Sequence, residues 1–355
     1  DAGDSQIFVR WMDAEGATSQ ITRTQNSASN LRWSPDGTQI AFTMTVDSPE
    51  SKWSIDLPQE PRGADWVEGP KVVERLSYRR DRRGYIDEGY THVFTVPAEA
   101  GTPKQISNGE WNHSAAEWMP DGSSLVFSSL RVDDAEHEWR ESEIYEAVLA
   151  TGEIHQLTDR TGPDTGPVPS PDGRYIAYQG QDFNDDTYRE NQLYLMAADG
   201  SNPRSLGGEM GRSLGNVTWS PDGKGVYFNV SMHGTQNLWF APLNGQPHEV
   251  TKGNHMLSMA SLDKMGGAVG TMSSYHKPGD IVSFGTETGD PIQQLTHIND
   301  DILNEVTLGE VEEIWYKSID NLDIQGWIMK PPNFDESKEY PLMLSTHGGP
   351  HGMYN

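Results

Sequence analysis

Cysteine is absent from the 355 residues of this protein, and basic residues are scarce. Without cysteine the sequence holds no disulfide, no zinc-thiolate site and no cysteine nucleophile. Lys and Arg number 26 against 53 Asp and Glu, a formal net charge of −27, which argues against nucleic acid or an anionic membrane as a partner. No apolar run approaches the roughly 18 residues of a membrane-spanning helix. This composition predicts a well-solvated acidic surface and leaves the cellular compartment open.

A five-residue pattern recurs four times and organises the chain. It reads WSPDG, WMPDG, PSPDG and WSPDG at 33–37, 118–122, 169–173 and 219–223. Proline sets φ for a type I turn, Asp bonds its own backbone, and Gly accepts the left-handed conformation that lets a strand resume. Each copy therefore predicts a hairpin corner followed by a short apolar strand. The corner tryptophans are predicted to pack between neighbouring repeats: Trp33, Trp118 and Trp219.

The spacing of these corners predicts a β-propeller. Successive corners are 85, 51 and 50 residues apart, and one propeller blade takes roughly 40 to 50 residues, so the first step holds one blade and an insertion. A degenerate fifth unit runs from about Met256 to Thr296, and the chain opens on the second half of a unit, Gln6 to Thr22. The prediction is an all-β chain of four-stranded antiparallel blades, about five and a half of them.

The half unit at the start has two interpretations. The missing strands come from elsewhere in the chain and close the ring, or the natural protein begins upstream of Asp1. The second is favoured because the first residue is not Met and the far end interrupts a motif.

The first insertion, 44–90, is rich in arginine. Five of the chain's 16 arginines fall within nine residues: Arg75, Arg79, Arg80, Arg82 and Arg83. One interpretation is a solvated or salt-bridged loop. The other is a guanidinium cluster that binds a carboxylate of a ligand, because planar bidentate donors suit a peptide C-terminus or an acidic side chain.

The second insertion, Arg131 to Ser142, carries the opposite charge. Glu136 and Glu138 belong to a run of five acidic residues there. Such a run is usually a solvated loop, and the functional alternative is a carboxylate pair that recognises the amino terminus of a peptide.

Three other patterns are rejected as sites. Gly211 to Gly215 (GRSLG) matches the G-x-S-x-G nucleophile elbow, but another corner follows and not a helix. His137 and Glu138 lack the second His of a zinc-binding H-E-x-x-H motif. The acids from Asp182 to Asp186 lack the Gly and Glu of an EF-hand loop. The sequence predicts neither a metal nor a cofactor.

After about Leu308 the repeats stop and a different pattern begins. Val311 to Ser318 and Leu322 to Lys330 predict a hairpin, and Leu342 to Ser345 predicts a buried strand that runs into THGGPH at 346–351. A buried strand delivering a Gly-Gly turn is how an α/β-hydrolase presents a backbone N–H to an oxyanion. Glycine is needed because a side chain would block the approach of the substrate oxygen.

The order of corners, then GWIMKPPNF at 326–334 and YPLMLSTHGGPH at 340–351, resembles the prolyl oligopeptidase family of serine peptidases. It is most similar to the acylaminoacyl-peptidase and dipeptidyl-peptidase-like branch. The repeats are shared with TolB-like propellers, and the tail is the more specific part. The resemblance covers essentially the whole chain.

The resemblance implies a seven-bladed propeller in the parent protein that caps a C-terminal α/β-hydrolase domain. Residues 1–307 match the propeller and 308–355 the start of the hydrolase domain. By motif match the oxyanion donor is the N–H of Gly349, with Gly348 allowing the turn and His347 and Pro350 shaping it. The Ser-Asp-His triad is expected further on, its Ser roughly a hundred residues past His351. The fragment itself is therefore expected to be inactive.

The functional prediction is the propeller portion of a peptidase that acts on short peptides by an acyl-enzyme mechanism. The alternative is a non-catalytic TolB-like propeller that serves as a binding or assembly module. An enzyme site in the propeller channel is disfavoured because the inner strands offer one carboxylate, Glu117. The predicted partner is a peptide substrate, and assembly into a homo-oligomer is left open.

Overall fold

The protein consists of strands with very little helix. The computed structural model describes residues 5–13, 16–48, 53, 58, 61–64, 70–86, 88–186, 188–208, 210–349 and 351–354. The chain forms two compact units. The first comprises Asp1–Pro169, Gly173–Asn184 and Met196–Asn202, and the second Ser170–Asp172, Asp185–Leu195 and Pro203–Asn355.

The first unit opens on the predicted half repeat and continues with two complete repeats. The half repeat is an antiparallel hairpin of β1 (Phe8–Arg10) and β2 (Thr18–Gln20). The first sheet has the order β3-β4-β7-β8 and carries a small hairpin in its insertion; its strands are β3 (Ser29–Trp33), β4 (Gln39–Asp47), β5 (Arg79–Arg80), β6 (Gly84–Tyr85), β7 (Gly89–Pro97) and β8 (Lys104–Gln105). The second sheet contains β9 (Glu117–Trp118), β10 (Ser124–Ser129), β11 (Glu143–Val148) and β12 (Ile154–Gln156) in sequential order.

The boundary between the two units falls within the third repeat. Its strands are β13 (Asp164–Pro169), β14 (Tyr175–Gly180), β15 (Gln192–Ala197) and β16 (Arg204–Ser205). Antiparallel pairing joins β13 to β14 and β15 to β16.

The second unit holds two further meanders and the tail. The fourth repeat has β17 (Leu214–Trp219), β18 (Gly225–Met232), β19 (Thr235–Pro242) and β20 (His248–Glu249). The fifth has β21 (Met256–Leu262), β22 (Gly267–Ser274), β23 (Lys277–Gly285) and β24 (Ile292–Gln294), which all lie within the range predicted for it. The tail has α1 (Asp300–Leu303), β25 (Val311–Lys317) and β26 (Asp323–Met329). Among the described residues, no helix has both the length and the apolar character needed to cross a membrane.

The corners form because each closes on its own side chains. At the first corner, the amide of Gly37 donates to the carbonyl of Ser34 over 2.9 Å. The Ser34 hydroxyl donates to Asp36 Oδ1 over 2.6 Å and accepts from the amide of Gln39 over 2.9 Å. The four corner glycines all have φ between +69° and +72°. The predicted hairpin corners are confirmed.

The hydrophobic core of the first unit lies between consecutive sheets. Ala41 and Val93 of the first sheet pack with Trp118, Leu125 and Phe127 of the second in one buried cluster. Trp118 is only 8% exposed, and its indole Nε1 donates to the main-chain oxygen of Arg32 over 3.1 Å. Fully burying a large apolar side chain contributes roughly 1.5–3 kcal/mol. Packing between the two sheets therefore contributes to the stability of both.

The prediction for the corner tryptophans is correct for two of the three. Trp118 and Trp219 are buried, but Trp33 is 53% exposed. Trp118 packs in a cluster with Ala41 of β4 in the repeat before it, whereas the half repeat before Trp33 supplies only β1 and β2. The predicted packing of Trp33 is wrong because its ring has no inner strand to cover it in the described part of the chain.

The inner strands share an irregularity that the sequence analysis did not predict. Pairing shifts register once along β3, β13 and β17, at the same distance before each corner. The residue three before the corner's first position is left-handed in each: Asn30 at φ +54°, Gly166 at +60° and Asn216 at +54°. Gly and Asn tolerate this conformation better than other residues. These three inner strands therefore carry a β-bulge at the same place.

The tail confirms one predicted element and contradicts another. The hairpin around 319–321 is present as β25 and β26. Leu342 to Ser345 is not a strand, and the side chains of Leu342, Met343 and Leu344 are 86–94% exposed. The prediction of a buried strand is wrong here because no strand pairs with this segment among the described residues. Extended backbone without such a partner cannot bury its polar groups.

Candidate functional site

The arginine-rich insertion joins the second and third strands of the first repeat, as predicted. Arg79 and Arg80 form β5, which pairs with Gly84 and Tyr85 of β6. Arg82 closes this small hairpin in the left-handed region, at φ +65°. The hairpin is exposed, so its guanidinium groups point into solvent.

Arg75 differs from the other four arginines because it is partly buried and has several partners. Its guanidinium lies 4.5 Å from the ring centre of Tyr90 and donates to the carbonyl of Gly89 over 3.3 Å. Its Nε lies 3.9 Å from Oε1 of Glu136 in the second insertion. The structure therefore brings together two of the sequence-predicted residues, one from each insertion.

Glu136 holds the two insertions together. The same Oε1 accepts the amide of Leu76 over 2.9 Å and the amide of Ser77 over 3.5 Å. A carboxylate that accepts backbone N–H groups forms strong charge-assisted hydrogen bonds. One oxygen of Glu136 is thus occupied by the first insertion.

The remaining predicted residues are not gathered into one site. Glu138 is exposed, as are Arg79, Arg80, Arg82 and Arg83. None of these five side chains makes an ion pair within the part of the chain that the structure describes. Beside them, a cavity of ≈ 250 Å³ is lined by charged and aromatic side chains, including Lys71, Glu74, Arg75, Tyr78 and Tyr85. The insertion therefore offers a cavity with a mixed polar and apolar lining, close in sequence to exposed arginine side chains.

Two buried carboxyls below the second insertion were missed by the sequence analysis. Glu143, which is 8% exposed, accepts a hydrogen bond from the Thr158 hydroxyl. Asp164 is fully buried and pairs with Arg160. Burial raises the pKa of Glu143 to about 7 and that of Asp164 to about 6. The sequence does not distinguish these two acids from exposed ones. Each is the first residue of a strand, where an exposed acidic residue is as common as a buried one.

The Gly-Gly turn lies in the second unit. Gly349 has φ +130°, where a residue with a side chain is strained, and a Cβ there would lie 3.0 Å from the Gly352 amide nitrogen. Gly348 and Gly349 are exposed, and His347 Nδ1 lies 3.1 Å from the carbonyl oxygen of Gly348. Pro350, the other residue predicted to shape the turn, lies outside the residues that the structure describes. No acceptor for the Gly349 amide is present among the residues that the structure describes. This N–H is therefore open to a ligand oxygen.

Propeller repeats touch the residues that follow this turn. The ring of Tyr188, from the connection between β14 and β15, stacks on His351 with centroids 5.1 Å apart. The amide of Gly234, in the β18–β19 turn, donates to Sδ of Met353 over 3.1 Å. No sequence pattern predicts these contacts, because the residues that make them are far apart in the chain.

The structure shows the surroundings of the other patterns that the sequence analysis considered. Ser213 in the GRSLG segment leads directly into β17, which begins at Leu214, so no helix follows. Glu117, the inner-strand carboxylate, pairs with Arg32 Nε over 2.6 Å. Within the described residues, no group of three or more His, Asp or Glu side chains is arranged to hold a metal ion.

Known proteins resemble this chain over nearly its whole length. Dipeptidyl-peptidase 5 of Porphyromonas gingivalis is 28% identical over 339 residues, which covers 90% of this chain and 47% of the relative. The uncharacterized peptidase YuxL of Bacillus subtilis is 28% identical over 379 aligned residues, 99% of this chain and 55% of the relative. The resemblance to the prolyl oligopeptidase family is confirmed. No family model matches the chain.

Solved structures of this family support the same fold. The acylaminoacyl peptidase of Pyrococcus horikoshii superposes with a TM-score of 0.75 at 20% identity and covers 98% of this chain. The match covers 50% of the archaeal peptidase. The chain thus spans about half the length of the prolyl oligopeptidase relatives that it matches.

Proposed function

We propose that this chain is the propeller portion of a serine peptidase that cleaves short peptides through an acyl-enzyme. In this proposal residues 1–307 select the substrate and 308–355 begin the hydrolase domain. The observation that supports it best is the continuity of the match, since the relatives named as peptidases align through the corners and onward. A non-catalytic propeller would have no use for the Gly-Gly turn.

The proposed chemical role of the tail is to supply one oxyanion donor. When a nucleophile attacks a peptide carbonyl, the oxygen becomes negative, and a fixed N–H stabilises that charge more than it stabilises the substrate. The open amide of Gly349, in a turn that requires glycine, suits this role. The nucleophile, its base and the acid that orients the base are expected elsewhere in the natural protein.

The exposed apolar residues of the tail fit this proposal. Leu342, Met343 and Leu344 are 86–94% exposed, and Trp315 and Tyr316 are 49% and 54% exposed. Apolar side chains clustered at a surface commonly mark a contact with another segment or partner. We propose that further strands of the hydrolase domain cover them.

The proposed substrate contacts lie on the two insertions. Arg79, Arg80, Arg82 and Arg83 are available for a carboxylate of the peptide. Glu136 already binds two amides of the first insertion, so we assign it to holding the insertions together. Glu138 remains the candidate for a peptide amino group.

The deciding experiment measures the intact mass of the natural protein before and after treatment with a fluorophosphonate, which labels activated serine. A mass well above 39.5 kDa with one adduct is the expected result. A heat-denatured sample is the control and must remain unlabelled. No adduct on a folded protein, together with no peptide hydrolysis, would overturn the proposal and favour a TolB-like binding module.

A further inference from the structure

The segment that follows the Gly-Gly turn is closed on itself. The Tyr354 hydroxyl donates to the carbonyl of Thr346 over 3.1 Å and lies 3.0 Å from the Ser345 hydroxyl. The ring of Tyr354 also meets His347 edge-on, with centroids 6.0 Å apart. Residues 345–349 and 351–354 therefore lie in one loop with Gly349 near its middle, which we call the glycine loop.

Two propeller turns contact the far side of the glycine loop. Tyr188 stacks on His351 at an interplanar angle of 25°, and the amide of Gly234 donates to Met353. Because Tyr354 ties this side back to Thr346, movement at His351 or Met353 is passed to the residues on both sides of Gly349.

The turn that bears Gly234 is itself rigidly placed. His233 and Gly234 are both left-handed, at φ +52° and +70°, the pattern of a tight two-residue hairpin turn. A Cβ on Gly234 would lie 2.6 Å from Cζ2 of Trp327 in β26. The Trp327 ring also packs on Tyr275, with centroids 4.7 Å apart.

We propose that Tyr188 and the His233–Gly234 turn are positioning residues that fix the orientation of the Gly349 amide. The propeller repeats then contribute to the rate of the chemical step as well as to substrate selection. The inference rests on the proposed function, because it requires the Gly349 amide to face an oxyanion. Removing an oxyanion donor typically costs about 10²–10³ in kcat, so loosening one support is expected to cost less, about tenfold.

The test uses Tyr188→Ala in the natural full-length protein, with a chromogenic peptide amide as substrate. We expect kcat to fall about tenfold while KM changes less than about twofold, because an interaction made mainly in the transition state is weakened. Tyr188→Phe keeps the stacked ring and should retain wild-type kcat. Phe183→Ala is the matched control, since Phe183 is a 45% exposed aromatic residue of the same connection.

Hydrogen exchange of the glycine loop provides a readout that does not depend on turnover. The backbone amides of residues 345–349 and 351–354 should exchange faster in Tyr188→Ala than in wild type or Phe183→Ala. An unchanged kcat in Tyr188→Ala, or an equal loss in Phe183→Ala, would overturn the inference. A folded wild-type protein without peptidase activity overturns the proposed function instead, while the exchange data still decide whether Tyr188 holds the loop.

Discussion

The indole Nε1 of Trp118 donates a 3.1 Å hydrogen bond to the main-chain oxygen of Arg32, and this bond joins the inner strands of two consecutive repeats. Trp33 occupies the equivalent corner position one repeat earlier and is 53% exposed. The same motif thus has two environments within one chain. This difference allows the contribution of packing between repeats to be measured against an internal reference.

Trp118→Ala should lower the free energy of unfolding by about 3–5 kcal/mol, the usual range for removing a large buried aromatic ring. Trp118→Phe keeps most of the ring and loses the hydrogen bond, so a smaller loss is expected. Trp33→Ala is the control and should cost under about 1 kcal/mol. Urea unfolding of the three variants gives the comparison. Equal losses for Trp118→Ala and Trp33→Ala would contradict the packing described here.

The corner glycines allow backbone strain to be isolated. Gly223 has φ +69°, and a Cβ there would meet nothing within 4 Å. Gly223→Ala should therefore cost about 1–2 kcal/mol through conformation alone. Gly223→Asn should cost less, because Asn tolerates the left-handed region.

Gly215→Ala is the matched control for that experiment. A Cβ on Gly215 also meets nothing within 4 Å, but its backbone is not left-handed. Its stability should change by less than about 0.5 kcal/mol. If the two alanine variants unfolded at the same urea concentration, the strain at the corner would be negligible.

The buried carboxyl of Glu143 predicts a stability that falls as pH rises. Burial lifts its folded pKa from 4.5 to about 7, so between these values the unfolded chain releases a proton that the folded chain keeps. The stabilising contribution is complete below pH 4.5 and is lost as pH rises through about 7. Glu143→Gln stays neutral and should be more stable than wild type at pH 8, by at most about 3 kcal/mol.

Urea unfolding between pH 4.5 and 8 tests this expectation. Asp164, whose pKa is raised to about 6 for the same reason, contributes a slope of the same sign, so the variant should keep part of the pH dependence. Glu153→Gln, on the turn between β11 and β12, is an exposed control. A Glu143→Gln variant that is less stable than wild type at pH 8 would contradict the raised pKa, because it would mean that the folded protein favours the charged carboxylate over a neutral side chain.

The substrate contacts proposed above predict a selective effect of the exposed arginines on KM, to be measured in the natural full-length protein. Replacing both Arg79 and Arg80 by Ala should raise KM about fivefold for a peptide with a free carboxylate, which corresponds to ~1 kcal/mol for an exposed pair. The same peptide with a neutral amide end should show no change. Arg212→Ala removes an equally exposed arginine from the connection before β17 and serves as the control. An equal rise in KM for both peptides would exclude carboxylate recognition.

Local chemistry accounts for what the sequence predicted well. The proline, aspartate and glycine of each corner act within five residues, so the hairpins and repeat bounds follow from the pattern. At the left-handed bulges, the sequence differs from an ordinary strand only by one Asn, Asn30 or Asn216. Asn is too common a residue to predict a bulge by itself. The exposure of Trp33 depends on which strands precede it, and no corner motif encodes that.

The contacts around the glycine loop were beyond sequence reasoning for a different reason. Tyr188 and His351 are far apart in the sequence, and their stacking depends on where a whole repeat is placed. The buried acids Glu143 and Asp164 likewise became recognisable only when their depth in the fold was known. The apolar pattern of Leu342 to Ser345 predicts a strand. A strand also needs a neighbouring strand to pair with, and the pattern of one segment does not show whether that neighbour is present.

The second-to-third-strand connections of three successive repeats contact the tail of the second unit, through Tyr188, Gly234 and Tyr275. At the opposite ends of the strands, the fourth repeat keeps the common corner and the fifth a degenerate copy of it. The repeats thus resemble one another at the corner end of their strands and differ at the end that carries the second-to-third-strand connection. Exchanging two repeats of this unit would preserve the packing at the corners and lose the fit to the tail.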